Sequence, residues 1–271
     1  MRATNLPDWA IYIAALGLVM FAADTRRLHA DAPAPPPPVP GEEATPLSPL
    51  SPFNGAKILK IADASGHTAT AFSIGEAGVW LTAESAVKSC KRIAVIIAPG
   101  KGAVAKAIPA PGGQLAVLTT EGGAQALPLA TVPRQGEDSF IPGYPQGQAG
   151  EAAVRLLGRT LLRDPHRGAA TERDQVWVEI GRTDGLKGVL YGMEGAPVID
   201  GMGRVQGVLL AEAPRRGRLY AAPVAAIRTA MAQAKVAPAF QSDSEPVTTD
   251  NYGRSADALR RDLRVAPVWC G

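Results

Sequence analysis

The chain has 271 residues, 46% hydrophobic, 20% charged and only 5% aromatic, enough for one sizeable domain or two small ones. Its 24 Pro and 29 Gly make about a fifth of the residues, which disfavours a helical bundle or a coiled coil. With 28 basic against 25 acidic residues the net charge is +3, so the chain is not an acidic disordered protein and carries no strong electrostatic footprint for nucleic acid.

Residues 1–8 form a short flank. Trp9 to Ala23 then runs without a charge, and as a helix at about 1.5 Å per residue it would reach roughly 22 Å, short for a bilayer. The stretch reads as an uncleaved signal anchor, single-pass, in preference to a cleaved signal peptide, because Phe21 to Asp24 offers only a poor cleavage site. Arg2 on one side and Arg26 and Arg27 on the other leave the positive-inside rule nearly tied. Residues 24–52, with APAPPPPVP and SPLSP, lack apolar periodicity and read as an extended polyproline spacer.

From Phe53 the texture changes to short apolar runs punctuated by Gly, Asp and Pro: AKILKIAD, TATAFSI, GVWLTA, KRIAVIIA, AVAKAI and QLAVLTT, later AVRLLGRTLL, DQVWVEI, APVID, RVQGVLLAEA and RLYAAP. Runs of this length, rich in β-branched residues, predict an antiparallel barrel or sandwich. Pro223 to Lys235 predicts a helix, with Val224, Ile227 and Met231 on one face. Residues 237–253 read as irregular, and Ser255 to Arg264 as a short arginine-rich helix. Cys90 and Cys270 cannot build a cysteine-rich metal site; they form one disulfide or remain two unrelated thiols.

Five separated blocks, in order, resemble the signature blocks of trypsin-like serine proteases, especially the bacterial HtrA type. Thr70-Ala71-Phe72-Ser73-Ile74 and then Gly78 to Val87 resemble G-x-G-F-x-x followed by L-T-A-A-H-x-V. Gln114-Leu115-Ala116-Val117-Leu118 is similar to D-L-A-L-L. Ile141-Pro142-Gly143-Tyr144-Pro145 resembles an A-x-G-x-P turn. Gly192-Met193-Glu194-Gly195-Ala196-Pro197-Val198 resembles G-D-S-G-G-P-V, and Tyr220-Ala221-Ala222-Pro223 resembles F-A-I-P before a helix. The resemblance spans residues 55 to 235 and implies an all-β fold of two packed six-stranded barrels with a cleft between them. The assignment is then a domain at 53–236 with a C-terminal helix and a tail at 237–271. The tail is too short for the PDZ module of HtrA proteases; it is expected to run over the barrel surface and bring Cys270 to Cys90.

Carried over block by block, Glu194 stands at the nucleophile position, Ser85 at that of the histidine and Gln114 at that of the aspartate. None of the three has the chemistry required: a carboxylate attacks amides poorly, a serine is no base near neutral pH, and an amide carries no charge to stabilise an imidazolium. The three histidines, His29, His67 and His166, lie far from the histidine block and read as linker or loop residues. The resemblance makes Gly192, Met193 and Glu194 an oxyanion-hole-like loop. The Glu194 carboxylate then has three readings: folded into the hole, pointing into the cleft as a fixed charge, or idle in solvent. One carboxylate with Ser85 is too few ligands for a hard cation, and no cofactor or metal is expected.

The expected function is that of a catalytically inactive, membrane-anchored protein acting as a scaffold or accessory subunit. Its anchor at 9–23 would sit in the inner membrane of a Gram-negative bacterium and its domain in the periplasm. Its partner is expected to be a membrane protein complex or an extended peptide segment held by strand addition, not nucleic acid. The alternative is an active hydrolase with Glu194 as general base. The stretch from Arg163 to Arg173 reads as a solvated loop of mixed charge in preference to an anion-contacting surface.

Overall fold

A computed structural model describes residues 9, 12–18, 20, 51–53, 55–61, 67–163, 171–240 and 245–271. The chain divides into two units, residues 1–49 and 50–271. In the first, the described residues are helical and their side chains exposed. Among the described residues no helix is long and apolar enough to cross a membrane.

The second unit is built from two barrels. Strands β1 (Ile58–Lys60), β2 (His67–Gly75), β3 (Val79–Ala83), β4 (Ile93–Ala98), β5 (Lys101–Pro109) and β6 (Leu115–Thr119) come first in the chain. Strands β7 (Asp138–Gly143), β8 (Gly150–Arg163), β9 (Thr171–Arg182), β10 (Pro197–Ile199), β11 (Val205–Ala213) and β12 (Arg218–Pro223) follow. The chain ends with helix α1 (Val224–Ala234), helix α2 (Tyr252–Arg261) and strand β13 (Val265–Cys270). The second barrel closes in the order β10-β11-β12-β9-β8-β7.

The first barrel differs from the expectation in one stave. Its ring runs β13-β2-β3-β6-β5-β4, with β1 paired outside it along β5. The C-terminal segment therefore does not run over the barrel surface as an appendage: β13 is antiparallel to β2 on one side and to β4 on the other. Pro267 disguised it, because proline cannot donate to a sheet ladder and argues against an interior strand. Pro267 sits opposite Thr70 of β2, while pairing with β4 begins only at Val268, so no ladder bond on the β4 side is lost. Cys270 meets Cys90 in a disulfide that spans 180 residues of sequence.

The strands read as almost continuous apolar runs because both of their faces are covered. On β2, Ala69 and Ala71 face the interior of the first barrel, whereas Phe72 and Ile74 join a core between the two barrels. Trp80 and Leu81 on β3 divide the same way, as do Leu209 and Val208 on β11, where Leu209 fills the second barrel. The period-2 alternation of a strand is thus written in two sets of apolar residues. Helix α1 adds Ile227, Ala230 and Met231 to the shared core and stops at Lys235, whose left-handed conformation ends the helical hydrogen bonding.

Helix α2 is held by a buried charge. The Arg260 guanidinium donates to the Gly150 carbonyl at 3.0 Å and the Glu151 carboxylate at 2.8 Å, both on β8. Tyr252, at the other end of the helix, stacks on Phe140 of β7 at 5.4 Å between ring centroids. The short loop after α2 then delivers β13 to the first barrel, so the last 20 residues bind both barrels.

Candidate functional site

The loop that joins β9 to β10 is pinned by buried threonines of the first barrel. Thr70 on β2 donates its hydroxyl to the Gly192 carbonyl at 2.8 Å and its N–H to the Glu194 carbonyl at 2.9 Å. Thr82 on β3 donates to the Thr70 carbonyl at 2.8 Å. Two glycines make the approach possible. Gly192 has φ +94° and a Cβ there would lie 2.7 Å from the Tyr144 carbonyl oxygen; at Gly195, φ +88°, it would overlap Thr82 Oγ1 and the Thr70 carbonyl.

This geometry settles where the Glu194 side chain goes. Gly192 N–H donates to Glu194 Oε2 at 2.9 Å, and the N–H of Glu194 itself also bears on the carboxylate. The side chain thus folds back onto the backbone of its own loop. Burial pushes the Glu194 carboxyl above its ordinary range and Glu212 adds to the rise, while the two N–H groups pull the other way without cancelling it. Glu212, on β11, accepts from Leu190 N–H at 2.6 Å behind the loop.

Ser85 lies exposed on a single 3₁₀ turn, Glu84–Ala86, directly after β3. Glu84 N–H donates to the Gln114 carbonyl at 2.9 Å, so the turn carrying Ser85 and the start of β6 are adjacent. A Cβ on Gly195 would lie 2.7 Å from Ala83 N, which sets the Glu194 loop against the same turn. The backbone therefore brings the segments of Ser85, Gln114 and Glu194 together at the seam of the barrels.

The sequence reading missed the partner of Gln114. Its Nε2 donates at 2.7 Å to Asp174 Oδ1, on β9 of the opposite barrel. Asp174 is fully buried, burial raises its carboxyl despite the Gln114 bond, and among the described residues Oδ2 has no partner. In the sequence Asp174 stands only at the head of the run DQVWVEI, and no local pattern marks a pairing across 60 positions.

His67 is the first residue of β2, its backbone paired with Trp269, and is not in a loop. It lies three positions before Thr70, about 10 Å along the strand. His29, His166 and residues 164–170 of the arginine-rich stretch lie outside the described residues. Among the described residues no three His, Cys, Asp or Glu side chains gather as a metal site.

Residues 69–208 match the sequence signature of the trypsin-like peptidase domain. Among solved structures, the chain is similar to the active form of the Rv3671c protease from M. tuberculosis, at 19% identity over 66% of this chain and 77% of that one, TM-score 0.52. It is also similar to the HtrA-type protease AlgW with a decapeptide, at 17% identity over 62% and 52%, TM-score 0.49. The MamO protease domain from Magnetospirillum magneticum is similar at 16% identity over 63% and 92%, TM-score 0.48. No curated protein matches the sequence.

Proposed function

Because the chain belongs to the trypsin-like peptidase family over residues 69–208, we propose that it keeps the family's scaffold without the family's hydrolysis and works by binding. The observation that carries this reading is the hydrogen bond from Gly192 N–H to the Glu194 carboxylate at 2.9 Å. An oxyanion hole stabilises negative charge that develops on substrate; a carboxylate already seated there fills the donors and repels that charge. Ser85 and Gln114 supply neither a base near neutral pH nor a carboxylate to orient one.

In this proposal residues 9–23 anchor the protein in the inner membrane and the two-barrel unit stands in the periplasm. It serves as a scaffold or accessory subunit of a membrane complex. A cleft relieved of turnover accepts an extended segment of a protein partner through main-chain hydrogen bonds. The raised Glu194 carboxyl also favours, as a second reading, a hydrolase that uses it as general base. Such a base would first have to leave the Gly192 N–H.

The test is labelling of the full-length protein in mild detergent with a serine-directed fluorophosphonate, alongside peptide hydrolysis measured across pH. No labelling and no hydrolysis are expected, for the wild type and for Glu194→Ser, which restores a hydroxyl without a base. Covalent labelling of the wild type at a single residue overturns the proposal. Hydrolysis that follows a single ionisation and disappears in Glu194→Gln establishes the second reading instead.

A further inference from the structure

The positive charge of the chain is concentrated on the first barrel. Residues 53–119 hold seven basic side chains and three acidic ones, an excess larger than the net +3 of the whole chain. All seven basic side chains are exposed, and none of them forms an ion pair among the described residues.

Their placement is unfavourable unless an anion is present. Lys60 of β1 stands directly opposite Lys101 of β5, and like charges directly opposite on one face of a sheet repel. At the other end of β5, Ile93 pairs with Ala105, so the same register sets Arg92 against Lys106. The Arg92 guanidinium lies over the Trp269 ring, 5.4 Å from its centroid, and not on a carboxylate. From Lys101 to Lys106 the strand runs about 17 Å, the reach of an extended segment of about five residues. Arg92 and Lys106, with Lys88 and Lys91, border a cavity of about 550 Å³. Its apolar wall includes Leu59, Val87 and Val104, and Glu84 is its one carboxylate.

Beside this strip runs an open strand edge. β1 ends the sheet and is paired with β5 alone. Val104 N–H donates to the Lys57 carbonyl and Ile61 N–H to the Gly100 carbonyl, both at 2.9 Å, so Lys57, Leu59 and Ile61 turn their main-chain groups to β5. By the alternation of an antiparallel ladder the N–H and C=O of Ile58 and Lys60 point away from it. No strand among the described residues takes them up. Lysines on such an edge deter pairing with a second copy or with any basic segment. They leave an acidic strand as the one that the edge accepts. Leu59 belongs to β1 and also lines the cavity, so the edge and the apolar wall are continuous.

We propose that β1 docks an extended acidic segment of a partner protein by strand addition. The main chain of the segment bonds Ile58 and Lys60, its carboxylates offset the repelling pairs Lys60–Lys101 and Arg92–Lys106, and an apolar side chain beside Leu59 enters the cavity. An anionic membrane surface would meet the lysines but could use neither the strand edge nor the cavity. The surface includes no residue of the Glu194 loop and stands or falls independently of the proposed function.

Fluorescence anisotropy on the full-length protein in an uncharged detergent tests the site with a labelled peptide of about eight residues in which Glu and Leu alternate. Its companions are Gln–Leu and Lys–Leu peptides, two Glu–Leu peptides methylated on either their Glu or their Leu nitrogens, and vesicles of phosphatidylcholine with and without phosphatidylglycerol. The Glu–Leu peptide is expected to bind, and the Gln–Leu peptide and at least one methylated peptide to bind about tenfold or more weakly. Lys60→Glu and Lys106→Glu, both at exposed positions, are each expected to weaken binding roughly tenfold with unchanged circular dichroism. The double variant is expected to take the Lys–Leu peptide instead. Undiminished binding of both methylated peptides, affinity unchanged by both substitutions, or no binding of the Glu–Leu peptide overturns the proposal. Binding of phosphatidylglycerol vesicles alone, lost in the same two variants, also overturns it and gives the basic face to a lipid surface.

Discussion

Asp174 is a buried carboxyl at the seam of the barrels with one oxygen unpartnered among the described residues. Its carboxyl is buried and takes one hydrogen bond from Gln114, and burial pushes it above the ordinary value of 3.8. Between that value and its raised value in the folded chain, the native state holds a proton that the unfolded state has lost. The contribution of Asp174 to stability therefore falls as pH rises through this window. Asp174→Asn, which cannot ionise and keeps an oxygen for Gln114, is expected to raise Tm by a few degrees at neutral pH. That advantage should shrink to nothing as the pH drops below 3.8. A variant no more stable than wild type at neutral pH would mean that the buried carboxylate is satisfied by water or by a group outside the described residues. The resemblance that sets Ser85, Gln114 and Glu194 at the triad positions was legible in the sequence because motif spacing carries it. The Gln114–Asp174 bond was not, because it joins two barrels through residues that neither motif contains.

At the scale of elements, α2 depends on Arg260 more than on apolar packing, for only Ala256 and Arg260 along it are buried. Arg260 bonds two glycine carbonyls and Glu151, and Asp257 flanks it at 2.6 Å. A buried ion pair is weak evidence of net stabilisation, yet removing one partner leaves the other charged and dry. Arg260→Met is therefore expected to cost about 3–5 kcal/mol in urea unfolding, with Arg260→Met combined with Glu151→Leu recovering most of it. A single variant within about 0.5 kcal/mol of wild type would show that the helix docks without the pair. Most strands were visible from their β-branched runs, and α1 from its spacing of Val224, Ile227 and Met231. Strand β7 was hidden inside a stretch read as a turn, Ile141 to Pro145, because Pro142 and Gly143 carry turn signals. It forms because its partner β8 supplies a continuous antiparallel register from Asp138 to Gly143.

The whole molecule is closed by its last strand. β13 contributes Val265, Ala266 and Val268, all fully buried, and separates β2 from β4. Removing residues 265–271 opens the first barrel along two edges and exposes the core behind them, so the shortened protein is expected to be unfolded by circular dichroism. The Cys90–Cys270 bond acts differently, since it constrains the unfolded chain over a separation of 180 residues and contributes up to about 5 kcal/mol in the chain-entropy treatment. The double variant Cys90→Ala/Cys270→Ala is expected to keep its fold and lose stability within that bound. A folded truncation, or a double variant with no native circular dichroism, would reverse the ranking of strand and bridge.

Sequence alone determined most of the segments that become strands and, through its motifs, that the chain belongs to the trypsin-like kind; the same resemblance is what sets Ser85, Gln114 and Glu194 at three family positions. Periodicity and motif spacing are local properties that survive in one dimension. Only the tertiary structure decided that the C-terminal strand takes a place in the first barrel, that Glu194 turns back onto its own loop, and that Asp174 meets Gln114. Each of these depends on which surfaces remain unpaired once the neighbouring elements are in place. The vacancy between β2 and β4, the backbone donors beside Glu194 and the buried face of β9 exist only after the chain has folded.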